Sequence, residues 1–154
     1  MNISDRGLDI IRQEEGLRLI AYKDSIGKWT IGYGHTKGVN PGDTCSKDQA
    51  EAWLVEDCAE AENIVTKNVT APLTENQFSA LVSFVFNVGP GKRDVKDGFV
   101  TLKSGNQSTL LRMLNLKDFA AAAYQIGLWN KAGGVMLPGL VKRREAEKRL
   151  FMEQ

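Results

Sequence analysis

Glu15-Gly16-Leu17-Arg18-Leu19-Ile20-Ala21-Tyr22-Lys23-Asp24-Ser25-Ile26-Gly27-Lys28-Trp29-Thr30-Ile31-Gly32-Tyr33-Gly34-His35 changes periodicity partway along, and that change decides the fold class. Up to Glu15 the pattern is helical. Ser4 is a side-chain cap, and Leu8, Ile11 and Glu15 fall on one or adjacent turns. Gly16 stands where a helix ends in a left-handed residue. Beyond it the signals are β: Trp29, Ile31 and Tyr33 alternate, and Asp24-Ser25-Ile26-Gly27 reads as the turn of a hairpin spanning 17–35. The same stretch holds two acids, the only histidine and four glycines.

Outward from the hairpin the chain is helical. Gly38 and Asn40-Pro41-Gly42-Asp43 make 37–44 a loop. Ser46-Lys47-Asp48-Gln49 is a capping box opening a long helix to about Lys67, with Ala50, Trp53, Leu54, Cys58, Ala61, Ile64 and Val65 at helical spacing. Thr74-Glu75-Asn76-Gln77 is a second capping box, and the helix over 78–88 behind it is apolar nearly all round. Gly89-Pro90-Gly91 stops it. Residues 91–107 read as an irregular, mobile surface excursion. Three shorter helices are expected over 108–114, 117–128 and 140–152, the last two separated by Gly133-Gly134 and Pro138-Gly139. The expected fold is a mostly helical α+β domain spanning 1–154. A small N-terminal lobe with a β-hairpin (about 1–45) is joined by a long helix (about 46–67) to a helical C-terminal lobe (about 70–154).

Composition narrows the function. A chain of 154 residues buries roughly two-thirds of its unfolded surface without staples. A net charge of +1 gives no field for binding nucleic acid. The first residues, Met1-Asn2-Ile3-Ser4-Asp5-Arg6-Gly7, carry no apolar signal segment, and Leu81–Val88 is too short to span a bilayer. Synthesis in the cytoplasm without stable membrane association is the expectation. Cys45 and Cys58 fall about three helical turns apart, roughly 20 Å, and so read as free thiols rather than a disulfide.

Glu15 and Asp24 carry the candidate chemistry. Glu15 lies where the last helical carbonyls point, so the negative end of the helix dipole disfavours its ionised form, and cover by Ile11, Leu17 and Leu19 acts the same way. Asp24 sits in a solvated turn. A carboxylic acid beside a carboxylate suits cleavage of an acetal: one group gives a proton to the leaving oxygen, and the other activates water. Thr30, on the strand returning from the turn, can bring a hydroxyl beside Asp24. By spacing alone, Glu15 as a surface helix end and Asp24 as an ordinary turn residue stands open as the alternative.

The pattern Glu15-Gly16-x-Arg18-x-x-Ala21-Tyr22-x-Asp24-x-x-Gly27-x-x-Thr30-Ile31-Gly32-Tyr33-Gly34-His35 resembles the active-site signature of the phage-type lysozymes, family 24 of the glycoside hydrolases. The likeness continues through Ala80–Gly89, Leu110–Asn115, Gly127-Leu128-Trp129, Pro138–Glu145 and Leu150-Phe151, almost the whole chain. It is weaker between Gly89 and Ser108. The resemblance implies Glu15 as proton donor, Asp24 as second catalytic carboxylate and Thr30 as a positioner of the attacking water. It also implies inversion, for which the carboxyl groups stand roughly 6.5–9.5 Å apart. The implied protein is a monomeric endolysin that cuts peptidoglycan glycan strands and needs no cofactor. It would wait in the host cytoplasm until a holin admits it to the periplasm and wall.

Further residues carry weaker signals. His35 has no second ligand at metal spacing and reads as a hydrogen-bonded support of the cleft wall, with substrate contact as its functional alternative. Phe86 and Asn87 end the apolar helix and are substrate-binding candidates, Phe86 reading first as core; Gln125 is another candidate, and Trp129 reads first as core. Lys142, Arg143, Arg144, Lys148 and Arg149, interleaved with Glu145 and Glu147, predict a solvated, internally paired helix face. The sharper alternative sends Arg143 or Arg144 to Glu14 or Glu15, or to anionic wall polymer. The runner-up function is a catalytically weak peptidoglycan-binding scaffold, followed by a chitinase-like activity.

Overall fold

In a computed structural model describing residues 1–154, helix α1 (Asp5–Glu15) starts behind Ser4, whose Oγ accepts the Gly7 N–H at 3.3 Å. It ends at Gly16, where φ is +71° and a side chain would be strained. Strands β1 (Arg18–Lys23) and β2 (Trp29–Gly32) pair antiparallel, Tyr22 opposite Thr30 and Lys23 opposite Trp29. The loop after β2 returns along the free edge of β1: the Ala21 N–H donates to Asp43 O at 2.8 Å, and the Cys45 N–H to Leu19 O at 2.9 Å. That third partner satisfies backbone groups which a two-stranded ribbon leaves open.

Helix α2 (Lys47–Asn68) is capped by Ser46, whose Oγ accepts the Gln49 N–H at 3.1 Å. Helix α3 (Glu75–Val88) has the full reciprocal box. The Gln77 N–H donates to Thr74 Oγ1 at 3.0 Å, and the Thr74 N–H to Gln77 Oε1 at 2.9 Å. Phe78, Ala80, Leu81, Val82, Phe84 and Val85 are each at most 3% exposed. Each large side chain buried this way contributes about 1.5–3 kcal/mol, so α3 is the core of its unit.

Helices α4 (Thr109–Asn115), α5 (Phe119–Gly127) and α6 (Pro138–Met152) follow. Helix α5 starts two residues later than its apolar pattern suggests. Lys117 takes a left-handed φ of 61°, and Asp118 caps the helix through the Ala121 N–H at 3.1 Å. Helix α6 starts two residues earlier, because proline fits the first helical turn. Gly133-Gly134 is no simple break: both glycines have positive φ and turn a short hairpin between β3 (Lys131–Ala132) and β4 (Val135–Met136).

The expected excursion over 91–107 is tied down instead. The Phe99 N–H donates to Gly89 O at 2.9 Å, and the N–H groups of Val100 and Thr101 both donate to Pro90 O. Phe99 is fully buried, and Ser108 Oγ donates to its carbonyl at 2.5 Å. Gly91 and Gly98 approach so closely that neither has room for a Cβ. Composition concealed this because the holding groups are backbone.

Residues Ile11–Ala59 form one unit, and Met1–Ile10 with Glu60–Gln154 form another. The sequence reading grouped the first residues with the hairpin, whereas their bonds run to the larger unit. The Ile3 N–H donates to Glu62 Oε2 at 2.6 Å and the Ser4 N–H to Ser79 Oγ at 2.8 Å. No helix is long and apolar enough to cross a membrane. Cys45 and Cys58 form no disulfide, and Cys58 is fully buried.

Candidate active site

Glu15 is the last residue of α1 and is half-buried. Its carboxyl lies against the backbone of Gly34, where a Cβ would stand 2.7 Å from Oε2 and 3.1 Å from Cδ. Gly34 has φ +76°, so glycine is required twice, for the turn and for the approach. Ile31 and His35 clamp that turn by exchanging backbone hydrogen bonds at 2.9 Å in each direction. Ile11 is fully buried as expected, while Leu17 and Leu19 are 36% and 45% exposed.

Asp24 opens the tight turn between β1 and β2. Its Oδ1 accepts the N–H groups of Ile26 at 3.0 Å and Lys28 at 2.8 Å, while its own N–H donates to Lys28 O at 2.9 Å. The Gly27 N–H closes the turn on Asp24 O at 3.0 Å, with Gly27 at φ +82°. Thr30 is only 4% exposed and donates its hydroxyl to the same Lys28 carbonyl at 2.9 Å. One backbone residue, Lys28, therefore fixes both Asp24 and Thr30. A hydroxyl has one hydrogen, so the Thr30 oxygen can only accept from any further neighbour.

Two contact sets hold α1 and the segment that follows β2 to α2. The Arg12 guanidinium grips Glu51, with Nη2 to Oε2 at 2.8 Å, and the Tyr33 hydroxyl donates to Glu51 Oε1 at 3.1 Å. The hydrogen bonds from Arg12 hold the Glu51 carboxyl below the usual glutamate range, against a smaller opposing effect of burial; Tyr33 adds to the lowering. His35 is 5% exposed, stacks on Trp53 with centroids 4.4 Å apart, and places Nδ1 2.8 Å from Asp57 Oδ2. A carboxylate accepts, so Nδ1 carries the hydrogen there. Gly34, Glu51, Trp53 and Asp57 were not singled out from sequence. Trp53 and Asp57 are four residues apart on α2, the spacing that puts two side chains on one helix face, and that signal was available.

Glu15, Asp24, Thr30 and His35 all lie in the Ile11–Ala59 unit. Phe86, Asn87 and Gln125 lie in the other. Phe86 is half-buried near the end of α3, Asn87 is exposed beside it, and Gln125 is half-buried on α5. Trp129, also half-buried, meets Phe84 edge-on at 5.6 Å.

The charged residues of α6 divide: Lys142, Glu145 and Arg149 are exposed as predicted, whereas a second face is not solvated. Arg143, Arg144 and Glu147 are 3%, 1% and 0% exposed. Arg143 donates through Nε to Glu147 Oε2 at 3.2 Å and through Nη2 to Ser83 O at 3.1 Å, while Ser83 Oγ donates to Glu147 Oε2 at 2.6 Å. Arg144 forms an ion pair with Glu147 Oε1 at 2.7 Å, Nε being the facing atom, although the N–H does not aim at the oxygen. Its guanidinium lies over Phe84 at 4.9 Å and reaches Trp129 O and Asn87 Oδ1. The i,i+4 pair predicted between Arg143 and Glu147 forms, but inside the protein, because α6 packs that face on α3.

The family model described as phage lysozyme matches residues 12–147. The endolysin of Acyrthosiphon pisum secondary endosymbiont phage 1 is 44% identical over 155 residues, covering 98% of each chain. A P22 lysozyme mutant superimposes with a TM-score of 0.82 at 38% identity over 99% of both chains. The muramidase domain of SpmX from Asticaccaulis excentricus does so with 0.82 at 34% identity, again over 99% of both.

Proposed function

The chain belongs to the phage lysozyme family, and from that premise we propose that it is a muramidase cutting the β-1,4 bond between N-acetylmuramic acid and N-acetylglucosamine in peptidoglycan. The observation that carries this reading is the shared anchor on Lys28, which holds a carboxylate and a hydroxyl acceptor together in one turn. The muramidase domain found among the similar structures supports the same chemistry.

Glu15 gives its proton to the glycosidic oxygen as the bond to the anomeric carbon breaks. A water donates one hydrogen bond to Asp24 and the other to Thr30 Oγ1, leaving a lone pair aimed at the opposite face of the sugar. It attacks the anomeric carbon, and its proton passes to Asp24. The β-linkage therefore yields an α-hemiacetal on muramic acid, an inverting outcome. His35 supports the turn from behind, and Phe86, Asn87 and Gln125 contribute substrate contacts. No metal or organic cofactor enters the scheme. The enzyme acts as a monomer and reaches the wall from the host cytoplasm once a holin opens the inner membrane.

Turbidity clearing of permeabilised Gram-negative cells tests the assignment. Glu15→Gln and Asp24→Asn should each lower the rate by about 10²–10⁴-fold while circular dichroism stays unchanged. Undiminished clearing by either variant removes that residue from the mechanism. Mass analysis of the released sugars should find muramic acid at the reducing end, and anomer analysis should find the α form first. Protein that pellets with sacculi but releases no reducing ends would be a scaffold instead.

A further inference from the structure

Residues 131–139 are all exposed, although Val135, Met136 and Leu137 among them are large and apolar. Val135 and Met136 are 61% and 59% exposed, so strand β4 buries neither of its faces. The segment is nonetheless built. Lys131 pairs with Met136 and Ala132 with Val135, and the Leu137 N–H donates to Asn130 O at 3.0 Å to close the base. Gly133 and Gly134 form the apex, which carries no side chain, so Val135 and Met136 stand directly behind the tip. Apolar side chains left in water on an ordered hairpin add nothing to the fold, and such patches mark contact surfaces.

The charge around this tip is largely of one sign. In an antiparallel pair, opposite side chains share a face, so Lys131 stands beside Met136. Met136 also lines a shallow groove of about 410 Å³ with Pro138, Val141 and Lys142. One thioether thus has a lysine stem from β3 and another from α6 as neighbours. Such stems lie along an apolar surface while their ammonium groups reach a polar layer above it. No acid occurs between Asp118 and Glu145. Asp97, which shares a cavity with Lys131, turns Oδ1 to the Lys103 N–H at 2.6 Å.

An occupant must offer apolar cover and negative charge together. A second copy does not: a two-fold contact on Met136 would set both lysines of one copy against both of the other. The apolar side chains of Val135, Met136, Leu137 and Val141 also fall far short of the roughly 800 Å² per partner that a stable interface covers. An anionic bilayer supplies phosphates at its surface and acyl carbon just beneath, and it accepts a narrow tip without a complementary pocket.

We propose that the β3–β4 hairpin seats the protein reversibly on anionic phospholipid, with Val135 and Met136 entering the headgroup zone while Lys131 and Lys142 meet phosphate. This contact uses no residue of the muramidase scheme and stands apart from it.

Sedimentation with sucrose-loaded vesicles tests the contact, using equal parts of phosphatidylglycerol and phosphatidylethanolamine, with phosphatidylcholine alone as the neutral control. At low salt the wild-type protein should partition onto the anionic vesicles about tenfold more strongly than onto the neutral ones. Val135→Ser combined with Met136→Ser should lower that partition about fivefold, and Lys142→Glu by a similar factor, with circular dichroism unchanged in both. Equal binding to both vesicle types, binding to neither, or undiminished binding by the double serine variant overturns the proposal. A dimer in sedimentation equilibrium that the serine variant dissolves, without vesicle binding, overturns it in favour of a second copy. Purified sacculi, which contain no phospholipid, supply the second measurement. Their hydrolysis should be the same in the wild type and both variants; a loss there would place the hairpin on the glycan and overturn the membrane contact. Wild-type protein that binds anionic vesicles but releases no reducing ends from sacculi would remove the muramidase reading and leave the contact standing.

Discussion

Asp24 and Glu147 are both carboxylates held by several donors, yet the two units use them in opposite ways. Asp24, half-buried at a turn, is held by uncharged backbone N–H groups on a single oxygen. Glu147 is fully buried between two guanidiniums and a serine hydroxyl: Oε2 accepts from Arg143 and Ser83, and Oε1 is ion-paired with Arg144 without a hydrogen bond. Removing an ion from water costs several kcal/mol, which Glu147 offsets only by full pairing. Such a group is committed to the fold. Backbone donors at the surface fix Asp24 in place while leaving capacity for water, so the smaller unit can keep a carboxylate ready for chemistry. The difference between the units lies in burial and in the charge of the partners that hold each carboxylate.

The strongest test of that contrast is Glu147→Gln, which strands two buried guanidiniums. We expect a loss of about 3–5 kcal/mol in denaturant unfolding, and the folded fraction should retain its specific clearing activity. A loss below 1 kcal/mol would mean the cluster relaxes and the contrast is overdrawn. Gly34→Ala is next. Strain at positive φ and the intruding methyl should cost about 1–3 kcal/mol, with a fall in activity far larger than the lost folded fraction explains, because the methyl displaces the Glu15 carboxyl. Thr74→Ala removes one cap of α3 and should cost about 1 kcal/mol with clearing unchanged, separating stability from chemistry in the larger unit.

The smallest effect is a pH dependence. Glu51 sits below its ordinary range when folded, so its pairing with Arg12 stabilises the protein in full above the ordinary glutamate range and fades as pH falls through the depressed folded value. At 30% side-chain exposure the contribution is under about 1 kcal/mol. Unfolding free energy measured between pH 6 and 3 should fall less steeply in Glu51→Gln than in the wild type. An unchanged slope would assign the acid sensitivity to other groups.

Much of this was legible before any coordinates. Ser4, Ser46 and Thr74 announced three helix starts because a cap is a local hydrogen bond between residues three apart. The gathering of Glu15, Asp24, Thr30 and His35 in one unit was also legible, since a hairpin brings near neighbours in sequence together. The α6 face misled, because i,i+4 pairing looks the same in water and in a core; only the packing of α3 against α6 distinguishes them. The 91–107 segment misled for a related reason. Its order comes from carbonyls and amides, which every residue owns and no composition reveals.

By itself, then, the sequence determined the order and type of the main elements, the hairpin turn on Asp24 and the family, all of which rest on contacts short in sequence or on a motif quoted residue by residue. Tertiary structure alone decided that Gly34 backs the Glu15 carboxyl, that Asp57 and Trp53 take His35, and that Arg144 turns the amide of Asn87. Those depend on how elements pack against one another. A side chain's spacing says which face it occupies, while only its neighbours across the packing decide whether that face meets water, an ion or a backbone.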